Sequence, residues 1–146
     1  MRRAVVVGGA LWAGVGAWGC AEPTGADALA LLSVRGTWSY VSSQTGTPGV
    51  TTGTLTLAQD STVRFSGTLD GSETDDRGQT RRVLAVVSGR TLDATLVDFD
   101  LAVDASVIRH HTGSVRGDTL TGNWVVLSDA GLSAAGTFRA RRIRSP

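Results

Sequence analysis

The stretch Gly-Thr-Trp-Ser-Tyr, residues Gly36–Tyr40, decides the fold, because variants of it recur along the chain. Its aromatic residues Trp38 and Tyr40 fall on one parity and its hydroxyl residues on the other, which is the alternation of a half-buried β-strand. Similar stretches begin at later glycines, namely Gly53, Gly67, Gly122 and Gly136. Glycine inside a strand lets a sheet bend sharply, as it must to close on itself. The recurrence therefore favours a barrel over an open sandwich, the alternative for such strands.

Short alternating segments separated by turn residues continue to the C-terminus. After the first, which starts at Val34, strands are predicted at Val50–Ala58, Thr62–Asp70, Arg82–Ser88, Thr91–Val97, Ala105–Val115, Thr119–Leu127 and Ala134–Ile143. Gly89-Arg90 and Gly117-Asp118 predict tight hairpins, and the polar run Gly71–Gln79 predicts an exposed loop. The sequence thus predicts an all-β, antiparallel up-and-down (meander) barrel of about eight strands, with a short helical turn before the first strand.

Residues 1–19 have the parts of an export signal. Arg2 and Arg3 precede the uncharged run Ala4–Trp18, which is shorter than the ~20 residues that a membrane-spanning helix needs. The run ends at Cys20, the only cysteine, so no internal disulfide can form in an oxidising compartment. Ordinary signal cleavage beside a chance cysteine is the alternative to a role for this thiol.

A small residue, Gly19, directly precedes Cys20, and here the sequence resembles the bacterial lipoprotein signal. The resemblance implies that Cys20 is lipidated and becomes the mature N-terminus. It also implies a cell-envelope protein, anchored on the periplasmic side of the outer membrane, with the membrane as a partner through the N-terminal lipid.

Three segments are therefore expected along the chain: a signal peptide at 1–19, a lipidated tether with a short helix at 20–33, and the β-barrel domain at 34–146. The helix is predicted from the capping-type spacing of Thr24 and Asp27 ahead of Leu29, Leu31 and Leu32. A frayed linker is the alternative for this segment.

The two ends of the barrel domain resemble the lipocalin and avidin-like calycin barrels. Gly36 and Trp38 lie on the first predicted strand, and several arginines lie on the last. In that superfamily a Gly-x-Trp tryptophan packs across the barrel end beneath an arginine of the final strand. Since Phe138 is expected to point inward, alternation makes Arg142 the inward arginine. The resemblance implies that Gly36, Trp38 and Arg142 form a structural set at one end.

The inward-facing residues follow from the parity of each strand. They are Trp38, Tyr40, Leu55, Leu57, Phe65, Leu69, Leu92, Leu96, Leu120, Trp124 and Phe138. Glycines on the same faces leave space on one level of the barrel and predict a shallow apolar pocket, although such glycines also suit a barrel that only needs to bend. The candidate ligand-binding residues are the aromatic members Trp38, Tyr40, Phe65, Trp124 and Phe138.

Charge gives no case for nucleic acid as a partner. The net charge is +1, and without Arg2 and Arg3 there remain 12 Arg against 13 Asp and Glu. These arginines are scattered among acids, so this balance gives no electrostatic reason to expect nucleic-acid binding.

Candidates for chemistry are few. Asp98, Asp100 and Asp104 alternate with apolar residues and could face a hard cation, but a solvated strand face is the more common meaning. His110 and His111 fall on opposite faces of a strand, so they do not share one metal ion. No Gly-x-Ser-x-Gly elbow occurs. We expect no enzymatic activity, no cofactor and no metal.

Two functions remain open for such a domain. The first is a non-enzymatic binding module that takes a small apolar ligand in the barrel. The second is a barrel with a filled core that acts through its outer surface, as an envelope protein-interaction or protease-inhibitor-like component. The size of the interior discriminates between them. A membrane-spanning barrel is disfavoured, because Thr, Ser, Asp and Arg dominate the outward positions.

Overall fold

Eight strands close into one antiparallel barrel in a computed structural model that describes residues 32–103, 107–129 and 131–144. Each strand pairs with the next, and the last pairs with the first. The strands are β1 (Gly36–Gln44), β2 (Val50–Gln59), β3 (Arg64–Thr74), β4 (Thr80–Thr91), β5 (Leu96–Ala102), β6 (Ile108–Arg116), β7 (Thr119–Ser128) and β8 (Gly131–Arg142). The predicted eight-stranded up-and-down barrel is confirmed.

The predicted helical turn and the Cys20 tether fall mostly on residues 20–31, which lie outside the described residues. Residues 32–35, just before β1, have no regular secondary structure. In the described part of the chain there is no helix with the length and apolar character to span a bilayer.

Of the predicted turns, the Gly117-Asp118 hairpin is confirmed, since β6 ends at Arg116 and β7 begins at Thr119. Gly117 has a φ of +58°, a value that glycine adopts without strain. The predicted loop Gly71–Gln79 is too long, because β3 continues to Thr74 and only residues 75–79 form the turn.

The predicted Gly89-Arg90 hairpin is wrong, because β4 runs on to Thr91. Gly89 points into the barrel, and a Cβ there would lie 2.5 Å from both the Phe65 ring and the Phe99 Cβ. This glycine therefore makes room for two aromatic residues. The real turn lies at residues 92–95, where Asp93 accepts hydrogen bonds from the backbone N–H groups that follow it.

Because the turn lies at residues 92–95 and not at Gly89-Arg90, two predicted inward leucines are also misplaced. Leu92 lies in the turn and is 50% exposed, and Leu96 starts β5 on its outer face and is 40% exposed. The inward residues of β5 are Val97, Phe99 and Leu101, all of which are buried. The other nine predicted inward residues are buried.

Side chains fill most of the barrel interior. Its buried apolar members are Val34, Trp38, Tyr40, Leu55, Leu57, Phe65, Leu69, Ala85, Val87, Val97, Phe99, Leu101, Val115, Leu120, Trp124, Phe138 and Ala140. We call the end where β1 begins and β8 finishes the closed end. The opposite end, where β1 turns into β2 and β3 into β4, is the open end.

Candidate binding site at the open end of the barrel

The closed end is sealed by a tryptophan beneath an arginine. Trp38 on β1 is fully buried, and its register partner on β8 is Arg142. The guanidinium carbon of Arg142 lies 4.2 Å from the centroid of the Trp38 ring, within the range of a cation–π contact. Gly36 has a φ of +133°, and a Cβ there would lie 2.8 Å from the guanidinium. Glycine is therefore required beside this arginine.

Backbone carbonyls of residues 33–35 satisfy the donors at the closed end. The indole nitrogen of Trp38 donates to the carbonyl of Val34 at 3.0 Å. Arg142 donates to the carbonyls of Ser33, at 2.9 Å, and of Arg35. The segment before β1 thus lies across this end, and no side-chain donor of Trp38 remains unused.

A largely buried ion pair occupies the open end. Arg109 on β6 and Glu73 on β3 point inward from strands that are not neighbours, with side chains 10% and 20% exposed. Arg109 donates to one carboxylate oxygen of Glu73 and, at 3.1 Å, to the hydroxyl of Thr51. Arg81 on β4 donates to the other oxygen of Glu73 at 3.0 and 2.6 Å. Two guanidinium groups therefore share one carboxylate.

The two arginines control the ionisation of Glu73. Burial by itself raises the pKa of Glu73, but hydrogen bonds and charge from Arg109 and Arg81 outweigh burial and hold that pKa below its usual value. The carboxylate is therefore ionised at neutral pH.

A cavity of about 240 Å³ lies directly above this ion pair. Its lining consists of Ser42, Gln44, Thr47, Gly49, Thr51, Glu73, Thr74, Asp75, Asp76, Arg109 and Trp124. Most of these residues carry hydroxyl, amide or charged groups, so the site is a polar mouth with one aromatic wall.

Trp124 on β7 forms that aromatic wall. The guanidinium carbon of Arg109 lies 5.2 Å from its ring centroid. A Cβ on Gly136, the facing residue of β8, would lie 2.0 Å from the backbone oxygen of Ser43 and 2.6 Å from the indole, so glycine is needed for both β1 and the ring to approach this strand. Among the described residues, the indole nitrogen of Trp124 is the only buried side-chain donor without an acceptor. A buried donor left unpaired costs about 1–3 kcal/mol unless solvent or a ligand reaches it.

Below the cavity floor, His111 on β6 is held by two hydrogen bonds. Its Nδ1 lies 2.9 Å from the carbonyl of Arg109, so this nitrogen carries the proton and donates. Its Nε2 lies 2.9 Å from the hydroxyl of Tyr40, which must then be the donor. Burial raises the pKa of Tyr40 to about 12, so the phenol keeps its proton.

The environment of His111 is otherwise aromatic. Its ring stacks on Phe99 at 4.5 Å and meets the edge of Phe138 at 4.9 Å. Burial lowers the pKa of His111 to about 4. The imidazole is neutral at pH 7 and forms part of the core.

The five candidate ligand-binding residues do not form one site. Trp124 lines the cavity, whereas Trp38 lies at the closed end. Tyr40, Phe65 and Phe138 are buried in the filled interior.

Sequence reasoning missed the inward polar residues Thr51, Glu73, Arg109 and His111. One signal was available for Glu73, because it continues the inward parity of Phe65, Gly67, Leu69 and Gly71 on β3. Nothing comparable marks the inward polar residues of β6 as partners for β3, since that contact depends on closure of the barrel.

The remaining candidates for chemistry lie on the outer wall. Asp98 pairs with Arg90 at 3.1 Å, and Asp100 contacts Nδ1 of His110 at 2.6 Å. Asp104 lies outside the described residues. Within 32–103, 107–129 and 131–144, no three metal-ligating side chains come together.

No family model and no curated protein matches the sequence. The fold matches those of several solved barrels. The structure of EF1p2_mFAP2b bound to DFHBI has a TM-score of 0.62 and 13% identity, covering 75% of this chain and 93% of that one. A fluorescence-activating β-barrel designed de novo has a TM-score of 0.61 and 17% identity, covering 80% and 98%. The redesigned barrel mFAP1 bound to DFHBI has a TM-score of 0.59 and 12% identity, covering 74% and 94%. At these identities the likeness concerns the fold.

Proposed function

We propose that this protein is a small-molecule binding module whose site is the mouth at the open end. The observation that supports this most is the largely buried ion pair of Arg109 and Glu73 beneath the cavity of about 240 Å³. Replacing a buried ion pair by packed apolar residues is often neutral or stabilising, so stability alone gives little reason to keep charges here. That two barrels of the same fold are described as bound to DFHBI supports the idea that such a barrel can hold a small ligand.

The ligand of this proposal is smaller and more polar than the apolar molecule expected from the sequence. Side chains such as Phe99, Phe138 and His111 occupy the middle of the barrel. The cavity lies below the ~300 Å³ typical of sites for drug-sized ligands. An apolar part of the ligand would contact Trp124, and its polar part would face the ion pair.

Binding without catalysis is part of the proposal. Both ring nitrogens of His111 are engaged, by Tyr40 and by the carbonyl of Arg109. His110 lies on the outer wall beside Asp100. Neither imidazole is placed to serve as a general base at the cavity.

We also propose that the module is an envelope lipoprotein anchored through Cys20 to the periplasmic side of the outer membrane. The chain reaches β1 across the closed end, where Gln59 donates to the carbonyl of Leu32 at 3.3 Å. A tether attached there would leave the open end facing away from the membrane. Mass spectrometry of the protein from envelope fractions tests the anchor, and an unmodified Cys20, or a mature chain that starts beyond it, would refute it.

The binding proposal is tested with a panel of small polar solutes and a fluorescent fatty acid, read by tryptophan fluorescence and melting temperature. A ligand at the mouth changes the emission of Trp124 and raises the melting temperature. The Trp124→Phe variant loses the emission change, whereas the matched Trp38→Phe variant keeps it. A panel that leaves both signals unchanged in the unmodified protein would contradict the proposal.

Exposed apolar residues on the outer wall support a second candidate function, which is protein interaction in the envelope. Leu84 and Val86 on β4 are 58% and 64% exposed, and with Ala102 and Val103 they line an apolar hollow of about 550 Å³. If this wall is the functional surface, Leu84→Ser with Val86→Ser abolishes partner binding and leaves small-molecule binding intact. If the same variant keeps its partner binding, the outer wall is not the functional surface and the mouth is favoured.

A further inference from the structure

The hydrogen-bonding capacity of Glu73 is fully used. One carboxylate oxygen accepts from Arg109 and from Thr51, and the other accepts twice from Arg81. A carboxylate offers about four acceptor positions in total. A ligand therefore finds no unused acceptor on Glu73.

The donors at the cavity floor exceed these acceptors. A guanidinium has five N–H donors, and the hydrogen bonds of Arg109 to described residues use one nitrogen toward Thr51 and another toward Glu73. The remaining N–H groups have no acceptor among the described residues. Trp124 lines the same cavity with its ring, and its buried indole N–H has no acceptor among the described residues. Arg109 therefore has donors left for a ligand, whereas Glu73 has no acceptor left.

The charge of Glu73 is neutralised from two sides. Arg109, with a side chain 10% exposed, pairs with it at the cavity floor, and Arg81, with a side chain 63% exposed, pairs with it from the solvent side. Asp75 and Asp76 at the rim carry negative charge, and both are exposed to solvent. The Asp75 carboxylate already accepts hydrogen bonds from the backbone of Arg77 and Gln79. Water screens the charges of Arg81, Asp75 and Asp76 alike, so the guanidinium of Arg109, whose side chain is 10% exposed, acts most strongly on a ligand at the floor.

We infer that the cavity binds the carboxylate of a small organic acid, an inference that rests on the proposed function. The carboxylate accepts hydrogen bonds from Arg109, in the charge-assisted geometry that guanidinium groups favour. The body of the acid packs against Trp124. A cavity of about 240 Å³ has the volume of about eight water molecules at ~30 Å³ each, which limits the ligand to a short chain or one ring.

Three probes of one shape and different charge test the ligand class: benzoate, benzamide and benzylammonium, titrated calorimetrically into the full-length protein at pH 7. Benzoate binds at least tenfold more tightly than benzamide, because only the anion gains charge-assisted hydrogen bonds. Benzylammonium binds most weakly. Asp76→Asn tightens benzoate binding about twofold by removing a rim charge, and the same change at Asp60, an exposed residue at the closed end, has no effect.

Two variants test whether the preference for benzoate over benzamide depends on the charged residues at the cavity floor. Arg81→Gln removes a largely exposed arginine and weakens benzoate binding severalfold without affecting benzamide. Arg109→Gln combined with Glu73→Gln leaves no unpaired buried charge and abolishes the preference for benzoate. If benzamide or benzylammonium binds as tightly as benzoate, the inferred class is wrong and the binding module stands. If none of the three binds and the solute panel also gives no response, both proposals fail.

Discussion

Each end of the barrel places an arginine over a tryptophan, yet the two pairs differ in how their donors are satisfied. At the closed end, Trp38 and Arg142 donate to backbone carbonyls of residues 33–35. At the open end, Arg109 donates to the side chains of Thr51 and Glu73, and the indole of Trp124 has no acceptor in the described chain. The same kind of residue pair therefore seals one end of the barrel and, at the other end, keeps an indole donor that no described residue accepts.

The source of the acceptors explains the difference. Backbone carbonyls are positioned by the course of the chain, so the arrangement at the closed end is tied to folding. Side-chain acceptors such as Glu73 can change partner or protonation state without unfolding the strand that carries them. Stability should therefore depend most on the closed end, and responses to ligand and pH should come from the open end and the layer beneath it.

The largest expected effect is at the closed end. Trp38→Ala removes a fully buried ring, leaves the Val34 carbonyl without its donor, and should lower the free energy of unfolding by about 3–5 kcal/mol. Urea unfolding measures this loss. A loss under about 1 kcal/mol would show that Trp38 is peripheral and that the closed end is not the stabilising one.

At the open end, Arg109→Met should lower the free energy of unfolding by about 3 kcal/mol, because Glu73 is left without its most buried counter-ion. Adding Glu73→Gln should restore at least half of this loss, since no unpaired charge then remains. Denaturant unfolding of the single and double variants tests this. A double variant no more stable than Arg109→Met would mean that the arginine acts through packing and not through the ion pair.

The layer beneath the mouth should make stability depend on pH. The pKa of His111 is about 4 in the folded protein, whereas an unfolded histidine has a pKa of about 6.5. Below pH 6.5 the unfolded chain therefore binds a proton that the folded protein resists, and stability falls as pH falls. Between pH 7 and pH 5 the loss should be about 2 kcal/mol, a window that lies above the titration of most carboxylates.

Urea unfolding at pH 7 and pH 5 measures this loss of stability. In His111→Gln the part of the loss that comes from His111 should disappear. His110→Gln, a change to the neighbouring imidazole on the outer wall, is the matched control and should keep it. Equal stability at pH 7 and pH 5 in the unmodified protein would contradict the placement of a neutral His111 in the core.

The sequence predicts the closed end better than the open end, because apolar residues follow the strand alternation and buried polar residues depend on distant partners. Alternation of apolar and polar residues predicts the eight strands, and with the calycin resemblance it led to the expectation of Arg142 beside Trp38. The same patterns place Glu73 in a loop, because a polar run after Gly71 is typical of turns and local composition carries no sign of a partner. That partner, Arg109, is 36 residues away in sequence and reaches Glu73 only across the closed barrel. Buried polar contacts of this kind are specified by topology, which short-range patterns do not encode.

The most direct test of the open end as the binding site compares the indole N–H resonances of Trp38 and Trp124 in proton–nitrogen correlation spectra, assigned with Trp38→Phe and Trp124→Phe. Without ligand, the Trp38 proton should exchange slowly, because Val34 accepts it at 3.0 Å, and the Trp124 proton should show no hydrogen-bond shift. On titration with benzoate the Trp124 resonance should move in proportion to occupancy while the Trp38 resonance stays in place. Movement of Trp38 instead, or of neither resonance at saturating benzoate, would contradict the account.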